Sequence, residues 1–355
     1  KENSRYPRPG EEMGARDRLQ KMCEDGTPID ERRFGPGCGL RPQLVNFVEC
    51  RNIFIEGVTM LNSPFWVMHP LFSKNITVRD VTVQNDGPNG DGCDPESCED
   101  VLIERCHFDT GDDCIAIKSG RNADGRRHNR ASRNIIVRDC DMKDGHGGVV
   151  IGSEVSGGCS NVFVENCRMD SPNLDRVLRI KSNECRGGVV ENIYMRNVTV
   201  GQCREAVLRI NLKYQPGEKA EGGHYPTVRN VWMENVTCQR SKYGVLLNGL
   251  DNVDNLENVD NLDKSRIHNI NIRNCRFEGV TTKMIHRTGL SHDLHLDLGH
   301  FAERMVQSEM QRTPDPLQLD FAERPKWTYV VGIELEAMLD VYLKTKGERI
   351  LKYLS

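Results

Sequence analysis

Along most of the chain, apolar and polar residues alternate with period two in short bursts, and the bursts recur. A unit of Asn or another polar residue, apolar, any, apolar, any, Asn or Asp, then Val or Cys appears eight times. It starts at Asn52-Ile53-Phe54-Ile55, Asn75-Ile76-Thr77-Val78, Asp100-Val101-Leu102-Ile103 and Asn134-Ile135-Ile136-Val137. The later copies are Asn161-Val162-Phe163-Val164, Asn192-Ile193-Tyr194-Met195, Asn230-Val231-Trp232-Met233 and Asn269-Ile270-Asn271-Ile272. Start-to-start spacings are 23, 25, 34, 27, 31, 38 and 39 residues. Period-two alternation sends every second side chain to one face, so each unit predicts a strand with one buried side. A second strand family falls inside the units: Ile115-Ala116-Ile117, Val149-Val150-Ile151, Leu178-Arg179-Ile180, Leu208-Arg209-Ile210 and Val245-Leu246-Leu247. Two or more strands per turn, with no helical period between them, predict a coiled stack of parallel strands whose turns rise by about 4.8 Å. The expected fold is all-β, a parallel β-helix with Ile and Val laddered inside and Asn and Cys at the corners. A β-propeller blade needs four strands and usually about 40 residues or more, which the shorter units do not supply.

The pattern changes at both ends. Residues 1–42, with Pro7, Pro9, Pro28 and Pro36, read as a loop or an incomplete turn. The solenoid is expected over 43–283 as the catalytic domain. Residues 284–300 hold four His with little periodicity and read as a linker. From Phe301 the period turns helical, is broken at Thr313-Pro314-Asp315-Pro316, and resumes near Tyr329 to Lys346, with Gly347 as the expected terminator. This gives a short α-helical C-terminal segment over 301–355. Between the regular strands, Arg121 to Arg133 and Tyr214 to Thr227 read as loops that wall a cleft. The chain begins at Lys1 and ends at Lys352-Tyr353-Leu354-Ser355, and both ends read as cuts in a longer protein.

Composition narrows the function classes. The 48 Lys+Arg against 52 Asp+Glu leave a formal charge of −4, without the basic excess of a nucleic-acid binder. No run of about 18 apolar residues is present to span a membrane. The 14 cysteines are many for a cytosolic chain, but Cys106, Cys140, Cys167 and Cys275 fall at one repeat position and read as small core fillers. Of the Asn-x-Thr triplets at Asn75, Asn197 and Asn235, two reuse the corner Asn, so they read as architecture rather than as glycosylation sites.

Four segments place charge where the repeat would accept neutral residues. They are Asn89-Gly90-Asp91-Gly92-Cys93-Asp94, Gly111-Asp112-Asp113-Cys114, Gly145-His146-Gly147-Gly148 and Arg179-Ile180-Lys181. Each alone has an ordinary reading as turn chemistry or a solvated strand face. Their common phase on successive turns is what points to a site, because stacking brings them to one outer face. Three carboxylates there suit glycoside hydrolysis, which needs one proton donor and ionised partners that activate water. Crowding of like charges raises one pKa and supplies the donor. An inverting enzyme needs its carboxyls roughly 6.5–9.5 Å apart, which two rungs span and one does not. Arg179 and Lys181 suit a carboxylate on the sugar, one as a fork and the other as a point charge.

In these four ordered motifs the chain resembles glycoside hydrolase family 28, the polygalacturonases, over roughly Leu40 to Thr282. The resemblance implies a right-handed parallel β-helix that cleaves α-1,4-galacturonosyl linkages in pectin with inversion and without a metal or other cofactor. It implies Asp112 as general acid, Asp91 and Asp113 as the pair that holds and deprotonates the attacking water, and His146 as a group that tunes the acid or contacts substrate. Asn89, Arg179, Lys181 and Tyr214 are the implied substrate contacts. Two departures stand out: Gly90 replaces the usual Thr, and the stretch from Gly145 to Glu154 is one residue longer than the common fungal pattern, as in exo-acting bacterial members. The expected enzyme is a secreted or periplasmic monomer whose partner is a pectic polysaccharide or oligogalacturonide. A Ca²⁺-dependent pectate lyase and a non-catalytic β-solenoid carbohydrate-binding module are the competing readings. The tail, through Arg304-Met305, Ser308-Glu309-Met310, Pro325-Lys326-Trp327-Thr328-Tyr329 and Gly332-Ile333-Glu334-Leu335, resembles the opening of family 105 unsaturated glucuronyl and galacturonyl hydrolases. That likeness implies a truncated α/α-barrel, part of a two-enzyme fusion.

Overall fold

The computed structural model describes residues 14–218, 220–251, 266–296, 301–316, 329–345 and 348–354. Three stacked parallel sheets form the faces of a β-helix. The first has nine strands, running from Arg51–Glu56 through Lys74–Arg79, Glu99–Glu104 and Ser132–Arg138 to Ile267–Arg273 and His292–Leu296. The second is a ladder of short strands from Thr59–Leu61 to Arg276–Phe277. The third carries Asp113–Ile117, Gly147–Gly152, Arg176–Lys181 and Ala206–Asn211 and ends on Val280–Thr288. One long strand, Thr237–Asn248, belongs to both the second and third faces, so the corner between them disappears at that turn.

The alternation expected from sequence builds the core. Ile76, Val101, Ile135, Val162, Ile193, Val231 and Ile270 lie in register on adjacent strands and are buried. On the third face the matching column is Ile115, Val149, Leu178, Leu208 and Val245. The first Asn of the repeat sits within the strand rather than at a corner. Asn52, Asn75, Asn134, Asn161, Asn192, Asn230 and Asn269 all have φ between 53° and 58°. Asn tolerates this left-handed conformation better than other side chains. From Asn75 onward each amide also donates to the turn before it, as in Asn75 to Asn52 at 2.6 Å and Asn230 to Asn192 at 3.0 Å. The second Asn does mark corners, with Asn166, Asn197, Asn235 and Asn274 again at positive φ. Immediately after such corners, Cys106, Cys140, Cys167 and Cys275 each donate their thiol to the carbonyl two residues back at 3.3 Å. All fourteen cysteines are free thiols.

Several expectations need correction. Within 1–42 the described residues hold a helix, Ala15–Asp25, and a 3₁₀ turn, Ile29–Glu31, not only loop; residues 1–13 lie outside the described part. The insertion after Arg121 forms a helix, Asn122–His128, closed by Asn129 at φ 46°. The expected linker is occupied up to residue 296 by the end of Val280–Thr288 and by the ninth strand of the first face. Leu294 and Leu296 alternate with polar residues and pack on the solenoid core, a short strand pattern hidden among the His. The tail forms helices Phe301–Arg312, Tyr329–Thr345 and Glu348–Leu354 around a separate apolar cluster of Val306, Val331, Met338 and Ile350. Leu339 and Leu343 of the second of these helices are exposed. Gly347 and residues 325–328 lie outside the described residues.

Candidate active site

The outer surface of the third face gathers the four sequence motifs. Asp91 is outside any strand, yet its rung is fixed: Gly92 N–H donates to Asp113 O at 3.0 Å and Cys93 N–H to Cys114 O at 3.1 Å. Asp91 therefore stands one turn from Asp113. The chain packs so closely here that a Cβ on Gly90 would lie 2.5 Å from Gly87 O and 2.7 Å from Asn85 O. A threonine at that position would require the backbone to move. Gly145 is similarly confined, since a Cβ there would meet Asp112 O at 2.7 Å.

Asp112 and Asp113 both reach the cleft because the chain turns at Gly111-Asp112 before the strand begins. Thr110 Oγ1 holds Asp112 O at 2.8 Å, and Asp113 N–H donates to Asp112 Oδ1 at 3.0 Å. Carboxylate oxygens of Asp91, Asp112 and Asp113 lie within 4.8 Å of one another. Around them the predicted partners converge. His146 Nδ1 is 2.9 Å from Asp112 Oδ1, and Asn89 Nδ2 is 3.4 Å from Asp112 Oδ2. Lys181 Nζ and Arg179 Nη1 donate to the two oxygens of buried Asp113 at 2.7 and 3.4 Å. Tyr214 lies over both cations, its ring centre 5.5 Å from the Arg179 guanidinium carbon and 5.3 Å from Lys181 Nζ.

Sequence reasoning missed a second layer. Lys118 Nζ is buried between Asp91 at 3.9 Å, Asp94 at 3.7 Å and Glu154 at 3.6 Å, and sits 4.5 Å over the Trp66 ring. Its only sequence signal is a cation closing an apolar strand, as Lys181 closes its own. Arg41 steadies Asn89 through a 2.7 Å bond to its Oδ1. Beyond Glu154 the charges continue through Arg121 at 3.6 Å to Glu218 at 2.6 Å. Glu218 also accepts from Asn122, Asn183 and Arg186 at 3.0, 2.7 and 2.7 Å. The two insertions are thereby tied into one wall, and Arg32, through a two-pronged contact with Asp124 at 2.9 and 3.0 Å, fastens the N-terminal segment to it.

These surroundings separate the acids. Burial pushes Asp91 up to about 8; Asp112 and Asp113 add to the rise and Lys118 opposes it. Asp91 Oδ1 and both oxygens of Asp94 are buried without a hydrogen-bond partner, and burial holds Asp94 well above the carboxylate range as well. For Asp112 burial also acts upward, but the hydrogen bond from His146 and the charges of Lys181, His146 and Lys118 outweigh it and hold the acid well below the usual range. His146 is raised in return, chiefly by that hydrogen bond. The surroundings thus favour the protonated forms of Asp91, Asp94 and His146, whereas the sequence reading looked for the raised acid on Asp112.

A pH test follows from Asp91. Its folded pKa lies above the ordinary 3.8, so its contribution to stability is full below that value and is lost as pH rises through about 8. Asp91→Asn, which never ionises, is expected to melt at least about 3 °C above the parent at pH 9. The difference should shrink toward pH 4. Thermal melts at both ends of the range check this, and a pH-independent difference would contradict it.

Comparisons with known proteins point to one family. The model for Glycosyl hydrolases family 28 matches residues 33–254. A probable polygalacturonase of Vitis vinifera is 36% identical over 163 residues, covering 45% of this chain and 33% of that relative. An endo-polygalacturonase of Pectobacterium parmentieri is 32% identical over 212 residues, covering 59% of this chain and 48% of that relative. Among solved structures, a hyperthermoactive exopolygalacturonase from Thermotoga maritima superposes with a TM-score of 0.69 at 40% identity, covering 81% of this chain and 63% of that one. The chain spans less than half the length of the two curated relatives.

Proposed function

The chain belongs to glycosyl hydrolases family 28, and on that basis we propose that it hydrolyses α-1,4-galacturonosyl linkages of pectin, with inversion and from chain ends. The observation that carries this reading is the carboxylate trio held against His146 on one side and Arg179 and Lys181 on the other. Asp112, the most accessible of the three acids, donates the proton to the leaving oxygen. His146, hydrogen-bonded to it, resupplies that proton. Asp91 and Asp113 hold the attacking water and the pair takes the proton it sheds: their oxygens are within 4.8 Å, closer than the separation usual for inversion, and a water making two bonds of about 2.8 Å fits between such groups. Arg179 and Lys181 keep donors to spare beyond Asp113 and draw in the uronate. Asn89 and Tyr214 complete the substrate contacts.

Two points support action at chain ends. The wall built on Glu218 rises beside the trio, and the solved relative from Thermotoga maritima is described as an exopolygalacturonase. An endo-polygalacturonase is also among the similar proteins, so product analysis decides. Chromatography of early products from polygalacturonate is expected to show monomer alone, and NMR of the nascent sugar to show inverted anomeric configuration. A ladder of oligomers would replace the exo reading with an endo one. The same three acids are also the group among the described residues spaced to hold a cation, which keeps a Ca²⁺-dependent lyase in view. Loss of activity on chelation, with an unsaturated ultraviolet-absorbing product, would favour that alternative. Binding of polymer with no new reducing ends would instead leave a carbohydrate-binding module. We place the site of action outside the cytoplasm, where the polymer is. The likeness of the helical tail to family 105 rests on its sequence segments alone, because the family-28 match ends at residue 254.

A further inference from the structure

On the cleft surface of the third face, one column of side chains runs in register from Val150 to Arg179, Arg209, Leu246 and His286. Arg209 is thus the neighbour of Arg179 on the next turn, about 4.8 Å further along the stack. The two arginines are differently engaged. Arg179 donates to the buried carboxylate of Asp113. Arg209 has a 3.4 Å bond from Nη1 to Leu246 O and a 4.0 Å approach of Nε to Glu205. Glu205 is already held by Arg176. A guanidinium is a five-donor fork shaped for a carboxylate, and these contacts leave most of it unused although its side chain is only 15% exposed. Burial and the neighbouring Arg176 and Arg179 weigh against its charge, with Glu205 opposing them. Around it, Arg176, Arg179, Lys181, Arg204 and Arg209 face Asp113, Asp175 and Glu205, so this end of the cleft carries a positive excess.

We infer that Arg209 is a second uronate-binding position, which takes the carboxylate of the third sugar, next beyond the leaving-side sugar held by Arg179 and Lys181. The inference rests on the galacturonan reading of the site and adds to it a preference for substrates long enough to reach this rung. The next residue of the column, Leu246, is apolar and 7% exposed, so the ionic track ends at Arg209.

Initial rates on galacturonate dimer, trimer and tetramer test this in the parent chain and in Arg209→Ala, Arg209→Gln and Arg209→Lys. Both neutral variants are expected to raise KM for trimer and tetramer about tenfold, the loss of one charge-assisted contact, with kcat unchanged and the dimer unaffected. Arg209→Lys should recover part of that loss, and Arg179→Ala should impair every length. Arg209→Gln keeps most of the side-chain volume and serves if the alanine variant does not fold. Equal KM changes at all lengths, or none at any length with an active parent, would overturn the role of Arg209 alone. A parent idle on every galacturonide would overturn the reading of the site, and this inference with it.

Discussion

Asp112→Asn is expected to lower kcat on oligogalacturonides by about a hundredfold to ten-thousandfold, the usual range for loss of a general acid, with little change in binding. The amide has the shape of the carboxyl and its oxygen still accepts from His146, whose Nδ1 lies 2.9 Å away in the parent. It lacks a proton acidic enough to pass to a departing sugar oxygen. An aryl galacturonide, whose leaving group departs without protonation, should recover much of the lost rate. Near-normal turnover of the natural linkage would remove Asp112 from the acid role, and an equal deficit on the aryl substrate would argue for a merely structural defect.

The second large effect is expected on stability. Arg186 is fully buried, and its guanidinium meets Glu218, Asn122 and Ser153 O. Arg186→Met removes the cation and leaves a desolvated carboxylate short of one partner, a change that typically costs about 3–5 kcal/mol. At about 2–4 °C per kcal/mol, the thermal midpoint should fall by about 10 °C. Adding Glu218→Gln to that variant should cost less than the two losses summed, because both remove the same contact. A midpoint shift below about 2 °C would show that the wall is not held by this pair. The contact is suited to acid conditions. Burial acts upward on Glu218, but the Arg186 bond and the Arg121 charge outweigh it and lower the acid to about 2. The stability Glu218 lends is thus present above the ordinary carboxylate pKa and is lost only as pH falls through about 2.

What could be read from sequence, and what could not, divides along the range of the interactions involved. The strand ladder was legible because its cause is local: Asn at a left-handed position, then alternating Ile and Val, repeated on each turn. The trio, His146, Arg179 and Lys181 were legible because they occupy one phase on consecutive turns. The close approach of the Asp91 and Asp113 carboxylates was not legible, since the Gly90-Asp91-Gly92 segment follows no strand period and only its backbone bonds fix the rung. Lys118, Glu154, Arg186 and Glu218 left little trace. Each is a single charge at the end of a strand or in an insertion, which sequence alone cannot tell from solvated surface. They meet only when insertions from turns far apart in the chain fold over the same edge. The helices Ala15–Asp25 and Asn122–His128 were hidden by similar means. The first buries no residue, and the second is short and rich in Arg and Gly.

The corner thiols have a consequence for how such a chain is made. The corner cysteines serve as compact packing atoms whose thiols tie down nearby carbonyls, with every cysteine unpaired. Nothing in the architecture is fastened covalently from one turn to another. Its turns are therefore held together, as the chain folds, by backbone ladders, side-chain bonds and core packing.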